Sequence, residues 1–267
     1  MHVLLTNDDG PPSQEESPYV QYLVEAIQKY TNWDLSIAVP SSQKSWIGKA
    51  HLVGHNVTAS YIYTNEINGP IDGPFDAPQP GKQGTEWTLL DGTPASCANI
   101  GIHHLYKDKG PIDLVISGPN YGRNSTALYI MSSGTVGASM EAALCGVKSV
   151  SISYGFDSRM HDPIQIAQAA KTSVRLTQYL YDNWQEPTQL YSVNIPLCES
   201  LSDDTKIVYT HILENTWGAA FAVPPDVHDK ERPSKFMWRP NYASVDQSVK
   251  DSYPGNDGWV VSNGEIR

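Results

Sequence analysis

Cysteine is scarce, basic residues are outnumbered, and no long apolar run is present. Only three cysteines, Cys97, Cys145 and Cys198, occur in 267 residues. They are odd in number and far apart, which excludes a disulfide framework or a zinc knuckle. Cys97 and Cys145 lie in apolar helical patterns and read as small core residues. Eighteen Lys and Arg against 29 Asp and Glu leave a formal charge of −11, with an isoelectric point near 5.1. That balance argues against non-specific binding to nucleic acid or an anionic membrane. Nothing approaches the ~18 apolar residues needed to span a bilayer. The start has no basic flank and apolar stretch of a signal peptide. The expectation is a cytoplasmic protein, with the Asn-x-Ser/Thr matches at Asn56 and Asn124 coincidental.

Familiar chemical signatures are missing too. There is no Gly-x-x-x-x-Gly-Lys-Ser/Thr loop, no Gly-x-Gly-x-x-Gly after a strand and no Gly-x-Ser-x-Gly. A P-loop enzyme, a dinucleotide enzyme and a nucleophile elbow are therefore not supported. His51 and His55 have i,i+4 spacing, but no Glu follows His51 and Gly54 weakens any helix. His103-His104 reads as a surface pair. An Asp-x-Asp nucleophile motif fails as well, because Asp8 and Asp9 are adjacent.

With 40% hydrophobic residues and a mean hydropathy of −0.38, the chain is ordinary globular material. Strand and helix patterns alternate. Val3-Leu4-Leu5 reads as a buried strand, and Ser17-Pro18 opens a helix to about Tyr30. Leu35 to Val39, Ser60 to Tyr63 and Trp87 to Leu90 read as strands, with Asn68 to Gly84 a Pro/Gly-rich loop or insertion. Thr93-Pro94 caps a helix to about Tyr106. Ile112 to Ile116 is a strand, a helix runs from Ser133-Gly134-Thr135 to Gly146, and Lys148 to Tyr154 is a strand. Asp162-Pro163 opens a helix to about Tyr181, before a strand from Leu190 to Ile195. Such alternation predicts an α/β, Rossmann-like parallel sheet with helices on both faces. Beyond Pro196 the pattern changes: Lys206 to Ile212 suits a strand, Val223 to Asp257 is loop-like, and Trp259 to Val261 starts a strand before the turn pair Asn263-Gly264. The boundaries are therefore 1–200 for the core and 201–267 for an extension with β-hairpin elements. The abrupt finish after Asn263-Gly264 fits a fragment of a longer protein.

Polar residues gather where strands end, and ligands of open α/β sheets bind there. Asn7-Asp8-Asp9-Gly10 follows the first strand. Ser41-Ser42-Gln43-Lys44-Ser45 follows the second. Asp91-Gly92-Thr93-Pro94 lies between a strand and a helix. Ser117-Gly118-Pro119-Asn120-Tyr121-Gly122-Arg123-Asn124 comes next, then Ser132-Ser133-Gly134-Thr135 at a helix start. Singly, each is a turn or a cap; Thr93 and Thr135 have an N-cap reading. Jointly they offer carboxylate, hydroxyl and amide oxygens, which suit Mg²⁺ or Mn²⁺ rather than zinc or copper. A helix N-terminus with small residues is a ready phosphate site. A metal beside a phosphate cradle outlines a phosphohydrolase.

Together, these motifs resemble the SurE family, the survival-protein-E-like nucleotidases and phosphatases. They occur in family order from residue 3 to about 154, and Val193-Asn194-Ile195-Pro196 extends the match to 196. The resemblance implies a Rossmann-like domain with a protruding β-rich C-terminal part supporting homodimers or larger homo-oligomers. It makes Asp8, Asp9, Ser45 and Asn120 the metal ligands, and Asp8 and Asp9 the catalytic acids. Ser133, Gly134 and Thr135 hold the phosphate, with Asn120 and Asn124 beside them. A side chain at Gly134 should then hurt phosphate binding and spare the metal. Trp46 departs from the pattern, since many members have Gly after the serine. The Ser41 to Ala50 segment is closest in style to fungal members, some called acid phosphatases. Some of those carry a tubulin-tyrosine-ligase-like ATP-grasp domain after this one. The implied activity is hydrolysis of nucleoside monophosphates or other small phosphate monoesters by metal-activated water, with Asp9 orienting that water. The alternatives are a broad acid phosphatase and a non-catalytic interaction module of a larger protein.

Overall fold

A computed structural model describes residues 1–156, 162–227 and 232–267. The first strand, β1 (His2–Thr6), is buried along its whole length. Its side chains alternate between two cores, as the period of an extended strand requires. Val3 and Leu5 enter one cluster and Leu4 the other. Helix α1 (Val20–Tyr30) then covers the first face, and β2 (Asp34–Pro40) returns parallel to β1. β3 (Ala59–Thr64), β4 (Asp72–Phe75) and β5 (Thr85–Leu90) follow, then α2 (Pro94–Ile100) on the second face. Residues 101–109 extend α2 by a π turn and a 3₁₀ turn.

β6 (Leu114–Tyr121) pairs parallel with β1 on its other side. Two helices, α3 (Thr126–Ser132) and α4 (Gly134–Leu144), lead to β7 (Lys148–Gly155). Helix α5 (Pro163–Asp182) packs beside α1, and β8 (Leu190–Pro196) completes an eight-stranded sheet. The strand order is β4-β3-β5-β2-β1-β6-β7-β8. From β1 the chain first winds one way, to β2 and β5, and then the other, to β6, β7 and β8. The crevice for a ligand in such a sheet lies where the winding reverses, at the C-terminal ends of β1 and β6.

The structure corrects the expected sheet at one edge. β3 and β4 run antiparallel, and β4 lies inside the Pro/Gly-rich stretch read as a loop. Helix α3 was also unforeseen, because it is short and polar at its start.

The larger differences lie beyond residue 200. Among the described residues the C-terminal part is not β-rich. It holds one two-residue antiparallel pair, β9 (Phe221–Ala222) with β10 (Met237–Trp238), and two helices, α6 (Tyr242–Lys250) and α7 (Asp257–Ser262). Helix α6 falls in the segment read as loop. Helix α7 contains Trp259-Val260-Val261, whose β-branched pair favours a strand in isolation. A local cap and a tertiary anchor override that preference. Asn256 caps the helix by accepting a hydrogen bond from Trp259 N at 2.8 Å, and buried Asp257 accepts from Thr126 N and Leu213 N, each at 2.8 Å. Gly264, at φ 74°, ends the helix instead of turning a hairpin. Lys206 to Ile212 forms only isolated bridges, Ile207 with Ile266 and His211 with Asn256.

The tail is tied into the core. Asn194 and Arg267 exchange both backbone hydrogen bonds, at 2.8 and 3.1 Å, and Ile266 is fully buried. Ile266→Ala should therefore cost about 2–4 kcal/mol through lost burial and the cavity left behind. A urea titration followed by circular dichroism reads this; a loss under about 0.5 kcal/mol would show that the tail does not support the core.

Candidate active site

The site is built on the turn after β1. Asn7 is fully buried, and its side chain closes the turn by donating to Gly10 O at 2.7 Å and accepting from Gly10 N at 3.0 Å. Adjacent strand residues face opposite ways, so Asp8 and Asp9 converge only because the chain bends here. Gly10 sits at φ 85°, and a Cβ there would come within 3.2 Å of the Ser42 carbonyl carbon. The 41–49 loop is thus pressed against the acidic turn, and Lys44 N donates to Asp8 O at 2.7 Å.

The end of β6 supplies the opposite wall. Its pairing with β7 shifts register between Ser117 and Asn120. Gly118 makes the bulge possible, because a Cβ there would lie 2.1 Å from Ile152 O. Asn120 is thereby brought to Thr135, whose hydroxyl lies 3.1 Å from Asn120 Oδ1 and 2.5 Å from Asp8 Oδ1.

Asp8, Ser45, Asn120, Asn124 and Ser133 line one pocket of about 130 Å³, joined there by Trp46 and Arg123. Asp9, Gly134 and Thr135 do not line it; they hold its wall. Both aspartates are only 2% exposed. Burial pushes the Asp8 carboxyl up to about 6, against hydrogen bonds from Thr135 and Gly134 that lower it. Asp9 is raised well above the usual carboxylate range by burial and by the neighbouring Asp8 charge, with Tyr121 N and Gln43 opposing. Tyr121 N donates to Asp9 Oδ2 at 2.7 Å. Among the described residues neither acid makes an ion pair with Lys, Arg or His, and no cluster of three or more His, Cys, Asp or Glu is present. Two buried carboxylates with a neutral amide and a hydroxyl beside them form an all-oxygen donor set, and their desolvation is relieved by a hard cation.

The geometry corrects one expected role, the helix cap, and gives other expected site residues further partners. The cap of α4 is Ser133, which accepts from Val136 N at 3.0 Å, not Thr135. The Thr135 hydroxyl, expected at the phosphate, donates to Asp8 Oδ1, and the backbone of Gly134 and Thr135 lies close enough to lower the pKa of that carboxyl. Asp8 therefore sits at the positive end of a helix, where a carboxylate is favoured. Asn124 spends its side-chain amide on Ser153 Oγ at 2.9 Å, and its backbone N–H on Asn194 Oδ1 at 2.8 Å, so it clamps β7 and β8 to the pocket. Sequence reasoning left Asn7, Gln43, Tyr121 and Arg123 without individual roles, although each lies in one of the polar segments at strand ends. The isolated histidines behave as read: His51 is 3.2 Å from Glu141, and His103 and His104 are exposed.

Fold and site define a Rossmann-like α/β protein with a buried pair of acids at the reversal of its sheet. Residues 3–219 match the family model for survival protein SurE, and the chain belongs to that family. It is 40% identical to the probable tubulin–tyrosine ligase PBY1 of Saccharomyces cerevisiae, over the whole chain but 39% of that protein's length. It is 30% identical to the 5′-nucleotidase SurE of Pelobacter propionicus, over 74% of the chain and 67% of the relative. The SurE protein of Aquifex aeolicus shares its fold, with a TM-score of 0.67 at 24% identity, covering 100% of this chain and 91% of that one. No helix among the described residues is long and apolar enough to cross a membrane.

Two measurements test the site. A Cβ at Gly134 would lie 2.7 Å from Asp8 Cβ and 2.9 Å from Asp8 Oδ2. Gly134→Val should thus displace Asp8 and weaken Mn²⁺ binding as well as phosphate binding, which calorimetric titration reads; unchanged Mn²⁺ affinity would restore the original expectation. The second concerns pH. Asp8 titrates higher in the folded chain than its ordinary 3.8, so the fold binds more protons than the unfolded chain between about pH 4 and 6. Its charge destabilises the metal-free fold progressively as pH rises through that window. In chelator at pH 7.5, Asp8→Asn should melt a few degrees above the parent, with the gap closing near pH 4. Equal melting at both pH values would show that the buried charge carries no penalty.

Proposed function

We propose that this chain is a phosphoric monoester hydrolase, dependent on Mg²⁺ or Mn²⁺, acting on nucleoside monophosphates or other small phosphate monoesters. The observation that carries the reading is the buried Asp8–Asp9 pair, without a cationic side-chain partner among the described residues and opening through Asp8 on a pocket of phosphate size. The names of the SurE relatives support it. Asp8, Asp9, Ser45 and Asn120 are the residues that would hold the cation. When bound, it supplies positive charge that neutralises phosphate oxygens and lowers the pKa of attacking water.

The chain's own groups do the rest. The Thr135 hydroxyl orients Asp8. The Ser133 hydroxyl and the Asn120 amide line the pocket where phosphate oxygens lie, and stabilise charge that builds on them. Asp9, held by Tyr121 N and Gln43, orients the water and takes its proton as oxygen bonds to phosphorus and the ester bond breaks. The leaving alkoxide then gains a proton.

By the same resemblance the protein assembles as a homodimer or larger homo-oligomer. The ligase name of the yeast relative, of whose length this chain spans 39%, supports the reading that a ligase-type ATP-grasp domain follows the SurE-like part in the full-length protein. The unpaired thiols of Cys97, Cys145 and Cys198 support a reducing, cytoplasmic setting.

A chromogenic phosphate ester should be turned over with Mg²⁺ or Mn²⁺ and not in chelator. Asp8→Asn should lose more than the roughly 10–100-fold that follows removal of a group merely orienting a ligand. Wild-type turnover by that variant would remove Asp8 from the site. Single turnover in ¹⁸O-labelled water separates direct attack from a covalent aspartyl-phosphate. Label should enter phosphate and not protein; label in Asp8 or Asp9 would establish the covalent route.

A further inference from the structure

Trp46 occupies the position after Ser45 where the family pattern favours Gly, and the structure retains the Gly-like backbone, at φ 63°. A tryptophan in the left-handed region is strained, so its side chain must be held by its surroundings. It is. Trp217 stacks on it at 5.4 Å with a 10° interplanar angle, while Tyr129 and Trp238 meet it edge-on at 5.7 and 5.5 Å. Trp238 comes from the short β9–β10 pair and Trp217 from the segment just before it, so the C-terminal part fixes this ring beside the acidic pocket.

The ring also joins two spaces. Trp46, Gly122, Arg123 and Tyr129 line both the 130 Å³ pocket of Asp8 and an adjoining cleft of about 880 Å³. The first space suits a phosphate. The second lies within the range of small-molecule sites and adds Phe156, Tyr242 and Trp259 to its walls. Arg123 is committed to Asp246 at 2.6 Å and lies over the Tyr129 ring at 6.0 Å, so the cation at the junction is neutralised. Trp46 borders both spaces, so a group bonded to a phosphate in the Asp8 pocket reaches aromatic surroundings where it passes into the cleft.

We propose, resting on the phosphomonoesterase reading above, that Trp46 is a specificity-determining residue: a stacking platform that selects phosphate esters carrying a planar nucleobase over alkyl phosphates. Every base has a π face, so the platform recognises nucleoside monophosphates without strong preference among bases. Base–aromatic stacking is worth about 1–3 kcal/mol, so one platform supplies about five- to 150-fold discrimination.

Trp46→Gly removes the ring and relaxes the backbone, because Gly accepts φ > 0 freely. The ratio of kcat/KM for adenosine monophosphate to that for glycerol phosphate should fall about fivefold or more, and Trp46→Phe should restore much of it. A ratio unchanged in Trp46→Gly overturns the proposal. Calorimetric binding of the hydrolysis-resistant methylenephosphonate analogue of adenosine monophosphate gives a readout independent of turnover. Affinity should fall about fivefold or more in Trp46→Gly, while methylphosphonate affinity falls far less. If wild type binds the nucleoside analogue in this Trp46-dependent way yet hydrolyses no ester, the platform stands and the hydrolase reading fails. If esters are hydrolysed but both affinities fall alike, or the nucleoside analogue does not bind wild type, the platform is wrong and the hydrolase reading survives.

Discussion

The hydrogen bond between Thr135 and Asp8 ties the end of the first strand to the start of helix α4, and the site depends on it. It joins residues 127 positions apart at the point where the winding of the sheet reverses. Through the same hydroxyl it reaches Asn120 at the bulged end of β6. Three separate stretches of chain are thereby held to one pocket. Gly134 allows this closeness, because any side chain there would enter the space of Asp8.

The arrangement is costly in isolation. Two adjacent carboxylates lie almost wholly out of water, and their own chain gives them amides and a hydroxyl but, among the described residues, no ion-paired counter-charge. Burial keeps both acids reluctant to ionise, and the charge of one raises the other. A site built at the expense of stability is expected where function requires a strained or charged arrangement. The compensation lies in the sheet, where β1 is buried on both faces between the clusters that α1 with α5 and α2 with α4 complete.

The C-terminal part is bound to this site more closely than its sequence implies. Asp257 reaches back to the start of α3, the final residues pair with β8, and Trp217 and Trp238 brace Trp46. An extension that reads as separate is in this way part of the wall around the cleft beside the acidic pocket. A large apolar cleft also lies along β8, lined by Tyr179, Ile207 and Tyr209.

What the sequence determined by itself is local. Val3-Leu4-Leu5 and Leu35 to Val39 are short, mostly apolar runs bounded by turn residues, and Lys148 to Tyr154 alternates polar with apolar side chains; each is a strand. Asp162 with Pro163, and Thr93 with Pro94, mark helix starts by capping chemistry that acts within three residues. That polar segments gather near Asp8 and Asp9 was legible because the ends of parallel strands share one edge of the sheet, whereas the choice of Asp8, Asp9, Ser45 and Asn120 among them came from the family resemblance. What tertiary structure alone decided is wherever a distant group outbids a local preference. Trp259-Val260-Val261 is helical because Asp257 is anchored by Thr126 and Leu213, and Asp72–Phe75 is a strand because β3 offers an edge. The Thr135 hydroxyl faces Asp8 because the sheet brings an acid there. Such bonds join residues up to 131 positions apart, and no window of sequence contains both ends.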